Sequence, residues 1–218
     1  MKNIFTLLLV AFLLTNCNNS QTRNVEKNDR VKLLPEPDRQ ERLLGQAIEK
    51  LKKSNCNFVD PDTSLCGITL RNPISAEKVL GIDNITDEKE KYHFYSTMDN
   101  ETLTLTQHPG DGKNQISVFC VTFSDKADHG YKQLNIETFQ TEKGIKLGLT
   151  KEQVIRKLGN CYAVVDSTKD CIELYYRIDN PKDSRTKILE TNNMPIYYAS
   201  YIFCKNKLRY YEFGFEYP

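Results

Sequence analysis

The spacing of hydrophobic and polar residues predicts an amphipathic helix from about Asp38 to Lys53. Its apolar positions recur every three or four residues and fall on one stripe. Glu41 stands three residues after Asp38, which is the spacing of a capping box at a helix N-terminus. Since a helix with one apolar face must bury that face, we expect this helix to dock on the rest of the fold.

After this helix, apolar and polar residues alternate, and alternation is the pattern of strands with one buried face. Residues 102–106 alternate, and Ile116–Phe123 follows after a segment rich in turn residues, so the two predict a hairpin. Ile172–Ile178 alternates in the same way. A last hairpin is predicted from Ile196–Cys204 and Leu208–Tyr217, on either side of a short polar turn.

A second, shorter helix is predicted between these groups of strands. Thr150 and Gln153 have capping-box spacing, and Leu149 with Val154 has the spacing of a hydrophobic staple. Gly159 follows the last apolar position, as at many helix C-termini. The sequence therefore places a helix directly before the second group of strands.

The first half of the chain contains a similar pattern. Residues 67–70 resemble residues 144–147, and residues 74–79 resemble residues 149–154 in their staple and cap positions. We interpret this as duplication, and chance similarity between two helix starts is the alternative. The predicted fold is α+β: an N-terminal helix followed by two units, each a short helix with an antiparallel sheet. The first unit, with the N-terminal helix, covers 36–135, and the second covers 136–218.

The start of the chain has the zones of a signal peptide. Lys2 precedes an apolar run from Ile4 to Leu14, which is shorter than the roughly 20 residues that a membrane span needs. Leu14-Thr15-Asn16-Cys17 resembles the lipobox of bacterial lipoproteins. This implies that residues 1–16 are removed and that Cys17 is lipidated. An ordinary signal peptide or a buried helix is the alternative.

The segment after Cys17 is almost entirely polar, so residues 17–35 are predicted to be a lipidated cysteine and a flexible tether. Several acyl chains on one cysteine anchor a protein firmly to a membrane. With Asn18 after the cysteine, analogy to enterobacterial sorting predicts the outer membrane, facing the periplasm. The whole chain has a formal net charge of +1. Without an excess of basic residues, nucleic acid is not an expected partner.

An exported protein with an even number of further cysteines favours disulfides. Apart from Cys17, the candidates are Cys56, Cys66, Cys120, Cys161, Cys171 and Cys204. The preferred pairs are Cys56–Cys66, Cys161–Cys171 and Cys120–Cys204. The first two pairs close short local loops, which is the reason for preferring this set. Free thiols are the alternative.

One motif carries a family resemblance. Gly148–Val154, closed by Leu158 and Gly159, resembles a motif of the SmpA/OmlA-type outer-membrane lipoproteins and of the repeat in the β-lactamase inhibitor protein. The resemblance implies a short helix ahead of an antiparallel sheet. It also implies binding to proteins, either in the assembly of outer-membrane machinery or in enzyme inhibition.

Several kinds of chemistry lack a sequence signal. His93, His108 and His129 are far apart, and none has metal-ligand spacing with another ligand, so no metal is expected. The sequence has neither a nucleophile elbow nor a phosphate-binding glycine loop. We therefore predict no catalytic residue and no cofactor. Paired carboxylates of a glycoside hydrolase need only tertiary proximity, which a sequence does not reveal.

Tyrosines are concentrated in the last predicted hairpin. Tyr197, Tyr201 and Tyr210 are candidates for a partner-binding face, because tyrosine gives a large contact area at low entropy cost. A simple preference of strands for tyrosine is the alternative. The predicted function is a non-catalytic cell-envelope lipoprotein that binds another protein as an assembly accessory, an inhibitor or an immunity-type protein. The alternative is a periplasmic hydrolase acting on cell-wall sugar or peptide.

Overall fold

The computed structural model describes residues 38–81, 90–98, 100–124, 131–179 and 185–217. The predicted signal peptide, Cys17 and the tether lie outside the described residues. Within the described ranges, no helix is both long enough and apolar enough to cross a membrane.

The first helix, α1 (Arg39–Lys53), begins directly after Asp38. The backbone N–H of Glu41 donates to Asp38 Oδ1 at 2.8 Å, and the backbone N–H of Asp38 donates to Glu41 Oε2 at 3.3 Å. This reciprocal capping box satisfies N–H groups that have no partner inside the helix. The apolar side of α1 packs on one end of a large sheet, through Ala47 and its neighbours.

The remaining elements follow in chain order. The other helices are α2 (Pro73–Leu80), α3 (Lys151–Leu158) and α4 (Ile188–Asn192). The strands are β1 (Ser64–Leu65), β2 (Ile68–Thr69), β3 (Lys91–Tyr95), β4 (Glu101–Thr106), β5 (Val118–Phe123), β6 (Lys132–Gln133), β7 (Ala163–Ser167), β8 (Cys171–Ile178), β9 (Tyr197–Cys204) and β10 (Lys207–Phe215). The predicted hairpins are present as β4 with β5 and as β9 with β10.

Eight strands form a single sheet in the order β6-β3-β4-β5-β10-β9-β8-β7, and β1 pairs with β2 separately. All neighbours in the large sheet are antiparallel except β3 and β6. The α+β class is correct, with much more sheet than helix. The prediction of two units with a sheet each is corrected: β10 pairs with β5, which joins strands from both halves of the chain in one sheet.

The structure does not support the cap positions used for the internal repeat. The sequence comparison places the cap of the first short helix at Ser75, but α2 begins at Pro73 with Asn72 as its N-cap. Asn72 Oδ1 accepts from the backbone N–H of Ser75 at 3.2 Å, and proline suits the first helical position because its missing N–H is not needed there. The predicted cap of α3, Thr150 with Gln153, is present.

The core lies between one face of the sheet, here called the inner face, and the helices α2, α3 and α4. Tyr211 and Phe213 on β10 are fully buried there, as their alternation predicts. The same alternation continues to Tyr217 and predicts a core position for it, but Tyr217 is 59% exposed. It follows the end of β10, and its ring contacts the edge of His108 instead.

Four of the six candidate cysteines form disulfides, in pairs that differ from those predicted. Cys171 pairs with Cys204, its direct neighbour across β8 and β9. Cys56, which follows α1, pairs with Cys161, which follows α3. The preference for short local loops therefore predicted the wrong pairs, because each of these cysteines lies next to one that is distant in sequence. Cys66 and Cys120 carry free thiols.

Candidate functional site

Among the described residues, helix covers the outer face of the sheet, opposite the core, at one end only. α1 packs there on β7 and β8, with Ala47 of α1 against Ala163, Val165 and Tyr175. The other three helices contribute to the core on the inner face. We call the outward-facing middle of the sheet the open face; it consists of Thr104, Cys120, Thr122, Tyr198, Ser200, Ile202, Tyr210 and Glu212.

Glu212 lies at the centre of the open face and is held by two tyrosines. Tyr198 Oη donates to Glu212 Oε1 at 2.6 Å, and Tyr210 Oη donates to Glu212 Oε2 at 2.8 Å. We call Tyr198, Glu212 and Tyr210 the tyrosine–glutamate site. Burial raises the pKa of both tyrosines well above the usual value, and the charge of Glu212 raises it further. The hydroxyls therefore stay protonated and act as donors toward the carboxylate.

Cys120 lies beside Glu212 in the register of β5 and β10. Burial raises the pKa of its thiol to about 12. Since the thiolate is the nucleophilic form, this raised pKa disfavours Cys120 as a nucleophile at neutral pH. His93 does not act as its base, because Thr104 lies between them in the sheet register and bonds His93 Nδ1 at 2.9 Å. The arrangement is not a Cys–His nucleophile pair.

A second tyrosine–glutamate pair on the same side of the sheet contains its own cation. Tyr175 Oη donates to Glu216 Oε1 at 3.1 Å. Arg177 Nη1 donates to the same carboxylate and, at 3.3 Å, to Tyr175 Oη. Arg177 also forms an ion pair with Asp179 at 3.1 Å. This group is therefore a complete network of donors and acceptors.

Two features flank the open face. Toward α1, Glu173 accepts from Ser200 Oγ at 2.8 Å and from Gln40 Nε2 of α1 at 3.2 Å. At the other side, Tyr131 stacks on His93 with ring centroids 4.6 Å apart and an interplanar angle of 13°. The open face is thus a polar and aromatic surface between α1 and Tyr131.

Only one of the three predicted partner-binding tyrosines lies on this surface. Tyr210 is half-buried on the open face. Tyr197 and Tyr201 are fully buried on the inner face, so they are corrected to core residues. Alternation along β9 turns every second residue inward, and it is Tyr198, between them, that faces outward.

The histidines and acidic residues form no metal centre in the part of the chain that is described, where no three potential ligands gather. His108 is part of a turn next to Asp111, which forms a buried ion pair with Arg71 at 2.6 Å. His129 lies outside the described residues.

Two cavities are also present, of about 330 Å³ beside the Cys56–Cys161 disulfide and about 610 Å³ beside Arg71. Of the described residues, Asp179 is the single carboxylic residue that lines the first cavity, and none lines the second.

Sequence reasoning placed Tyr210 and Glu212 on one strand face but missed Tyr198, Ser200 and Cys120 as parts of the same surface. The signal was the alternation of the last hairpin, which separates Tyr210 and Glu212 from Tyr211 and Phe213. Placing Tyr198 and Cys120 beside Glu212 needs the pairing of β10 with both β9 and β5, and the second pairing joins distant segments.

Comparison with known proteins returned no match: no family model, no curated protein and no solved structure matches this chain.

Proposed function

We propose that this chain is an exported lipoprotein, anchored through Cys17, that binds another protein through the open face. The observation that carries the proposal is the contrast between the two faces of the sheet. The inner face is packed with fully buried aromatic residues, whereas the open face presents tyrosine, threonine and glutamate outside the helical cover. Such a mixture of aromatic and polar groups is typical of protein interfaces.

The open face is also suited to binding by its rigidity. Its side chains project from the central strands of an eight-stranded sheet, and Tyr198, Tyr210 and Glu212 hold one another by hydrogen bonds. Side chains that are fixed before binding lose little conformational entropy when a partner contacts them. The partner is a protein with a basic surface, because Glu173 and Glu212 form no ion pair with any described cation.

Binding is favoured over hydrolysis by two observations. Burial raises the pKa of the Cys120 thiol to about 12, and the described residues that line the two cavities include no pair of carboxylates of the kind that glycoside hydrolysis uses. In this proposal the protein acts in the cell envelope, at the outer membrane facing the periplasm. Its role is that of an assembly accessory, an inhibitor or an immunity-type protein.

The test is site-specific photo-cross-linking in the producing bacterium. A photoreactive amino acid replaces Thr122 or Ile202 on the open face, and in a control variant it replaces Ile74, which is 77% exposed on α2. We expect a discrete covalent adduct with one protein from the two open-face positions and none from the control. Mass spectrometry of the adduct identifies the partner.

Competition makes the test specific. Unlabelled full-length protein in excess must reduce the adduct, since a specific surface is saturable. Equal adducts from Ile74 and from the open face, or no adduct from either open-face position, would contradict the proposed function.

A further inference from the structure

The tyrosine–glutamate site offers acceptors and almost no donors. Glu212 is a carboxylate and can only accept hydrogen bonds, and the protons of Tyr198 and Tyr210 are already directed at it. The Cys120 thiol also interacts with Tyr210 and Glu212, and the lone pairs of the Tyr198 hydroxyl and the remaining lone pairs of the carboxylate are left for a ligand. No cation of the described residues lies within ion-pair distance of Glu212. A ligand that complements this site must carry several donors and a positive charge.

The same sheet face shows which group satisfies such an arrangement. Around Glu216, Tyr175 donates to the carboxylate as Tyr198 and Tyr210 do around Glu212. There the protein supplies Arg177, whose guanidinium donates to both the carboxylate and the tyrosine oxygen. Arg177 is therefore an internal example of arginine bound by a tyrosine and a glutamate.

The two groups are neighbours. The rings of Tyr175 and Tyr198 stack, with centroids 6.2 Å apart and an interplanar angle of 21°. Glu212 lies on β10 two residues before Gly214, and Glu216, which follows the end of β10, lies two residues after it. The tyrosine–glutamate site thus has the same kinds of acceptor as the neighbouring Tyr175 and Glu216. Unlike them, it is not occupied by an arginine of the described chain.

Arginine fits this set of acceptors better than lysine. A guanidinium is planar, donates in two parallel directions to a carboxylate and stacks on tyrosine rings, whereas an ammonium is a compact point charge. Two tyrosines that flank one carboxylate provide a flat, aromatic and anionic surface of this kind.

We propose that Tyr198, Glu212 and Tyr210 bind an arginine side chain of the partner protein. This inference rests on the proposed function and adds the chemistry of the partner. Glu212 receives the guanidinium, and the Tyr198 hydroxyl oxygen accepts from a remaining N–H group.

The test uses the full chain in detergent solution, with carbon-13 in its tyrosine rings, and titrates it with N-acetyl-arginine amide. The ring signals of Tyr198 and Tyr210 are assigned from the Tyr198→Phe and Tyr210→Phe variants. We expect both signals to shift saturably, with Kd on the order of 1 mM. N-acetyl-citrulline amide has nearly the same shape without the charge, and we expect it to bind at least about tenfold more weakly.

Two matched variants locate the site. Glu212→Gln is expected to weaken binding of N-acetyl-arginine amide at least about tenfold. Glu190→Gln, which removes an exposed carboxylate on α4, the helix that packs on the inner face, is expected to change Kd by less than about twofold. Equal binding of the arginine and citrulline compounds, unchanged binding by Glu212→Gln, or no saturable shift at all would overturn the inference. Cross-linking from Thr122 and Ile202 decides the proposed function separately, because it does not depend on arginine.

Discussion

Asp62 is a carboxylic acid that lies wholly inside the protein, between the inner face of the sheet and the segment around Glu142. Burial raises its pKa to about 7, with a further contribution from the charge of Glu142. Its Oδ2 atom forms no hydrogen bond within the described part of the chain. Ionised Asp62 is therefore poorly compensated, and the folded state favours the neutral acid.

This residue makes stability depend on pH. In the unfolded chain the acid releases its proton near its ordinary pKa of 3.8, but in the folded protein it keeps the proton up to about pH 7. Between these values the folded state binds more protons, so the free energy of unfolding falls as pH rises and then levels off. We expect the loss to be roughly 4 kcal/mol, and Asp62→Asn to remove most of it. Urea unfolding at several pH values from 4 to 8 measures how the free energy of unfolding depends on pH in wild type and in Asp62→Asn.

The control for this experiment is Asp166→Asn, since Asp166 pairs with Arg39 at the surface. In this variant the free energy of unfolding should depend on pH as it does in wild type. A small slope should persist in Asp62→Asn near the acidic end, because burial also raises the pKa of Glu101. An Asp62→Asn protein with the full wild-type slope would show that Asp62 ionises freely in the folded state.

Single residues were predictable where alternation is unambiguous. Alternation along the last strand predicts that Tyr211 and Phe213 are core residues, with Glu212 between them on the other face, and both are fully buried. Tyr197 and Tyr201 were misplaced because β9 has tyrosines on both of its faces. Residue type then gives no information on which face is buried, and only the packing of the whole sheet decides it.

At the scale of elements, the pairing of β5 with β10 joins the two halves of the sheet. Gly214 lies in this pair opposite Val118. A Cβ atom at Gly214 would be 2.2 Å from the carbonyl oxygen of Ser117 and 2.7 Å from the Cα atom of Val118. Both contacts are with backbone, so no side chain can move away to make room.

Gly214→Ala is therefore expected to destabilise the protein by about 2–4 kcal/mol, because the strands must separate locally at the junction. Thermal and urea unfolding measure the change. Gly45→Ala is the matched control: Gly45 lies in α1 with no atom near its Cβ position, and we expect it to stabilise the protein by about 0.5–1 kcal/mol. An alanine at position 214 that leaves stability unchanged would contradict the tight packing of the junction.

Helix starts and local hairpins were predictable because their signals are local. The capping boxes at Asp38 and at Thr150 both formed as predicted. The start of α2 was misplaced because Asn72 and Ser75 are both good N-caps, and Pro73 decides between them. The β5–β10 pair has no local signal, since its strands are separated by most of the second half of the chain.

At the scale of the whole molecule, two disulfides connect distant parts of the chain. Cys56–Cys161 spans 105 residues and attaches the segment after α1 to the segment after α3. Cys171–Cys204 spans 33 residues within one antiparallel pair of strands. Neither connectivity followed from the sequence, because spacing along the chain does not reveal which ends meet.

Removing the disulfide that closes the longer loop should lower the free energy of unfolding more than removing the other one. In the loop-entropy account, the disulfide over the longer loop contributes about 4–5 kcal/mol and the one over the shorter loop about 1 kcal/mol less. We expect Cys56→Ser with Cys161→Ser to lower the free energy of unfolding more than Cys171→Ser with Cys204→Ser. Urea unfolding of the two double variants and of wild type measures the difference. Cys120→Ser removes a free thiol as a control and should change stability by less than about 1 kcal/mol.

The central place of β10 has a consequence for when the fold can form. β10 is the last strand along the described chain, yet it lies between β5 and β9 in the sheet. Until it arrives, both have an open edge that is a template for wrong pairing. During synthesis the sheet therefore stays divided in two, and it closes only when nearly the whole described chain has emerged. This delay makes the new chain most vulnerable to aggregation just before its last strand is placed.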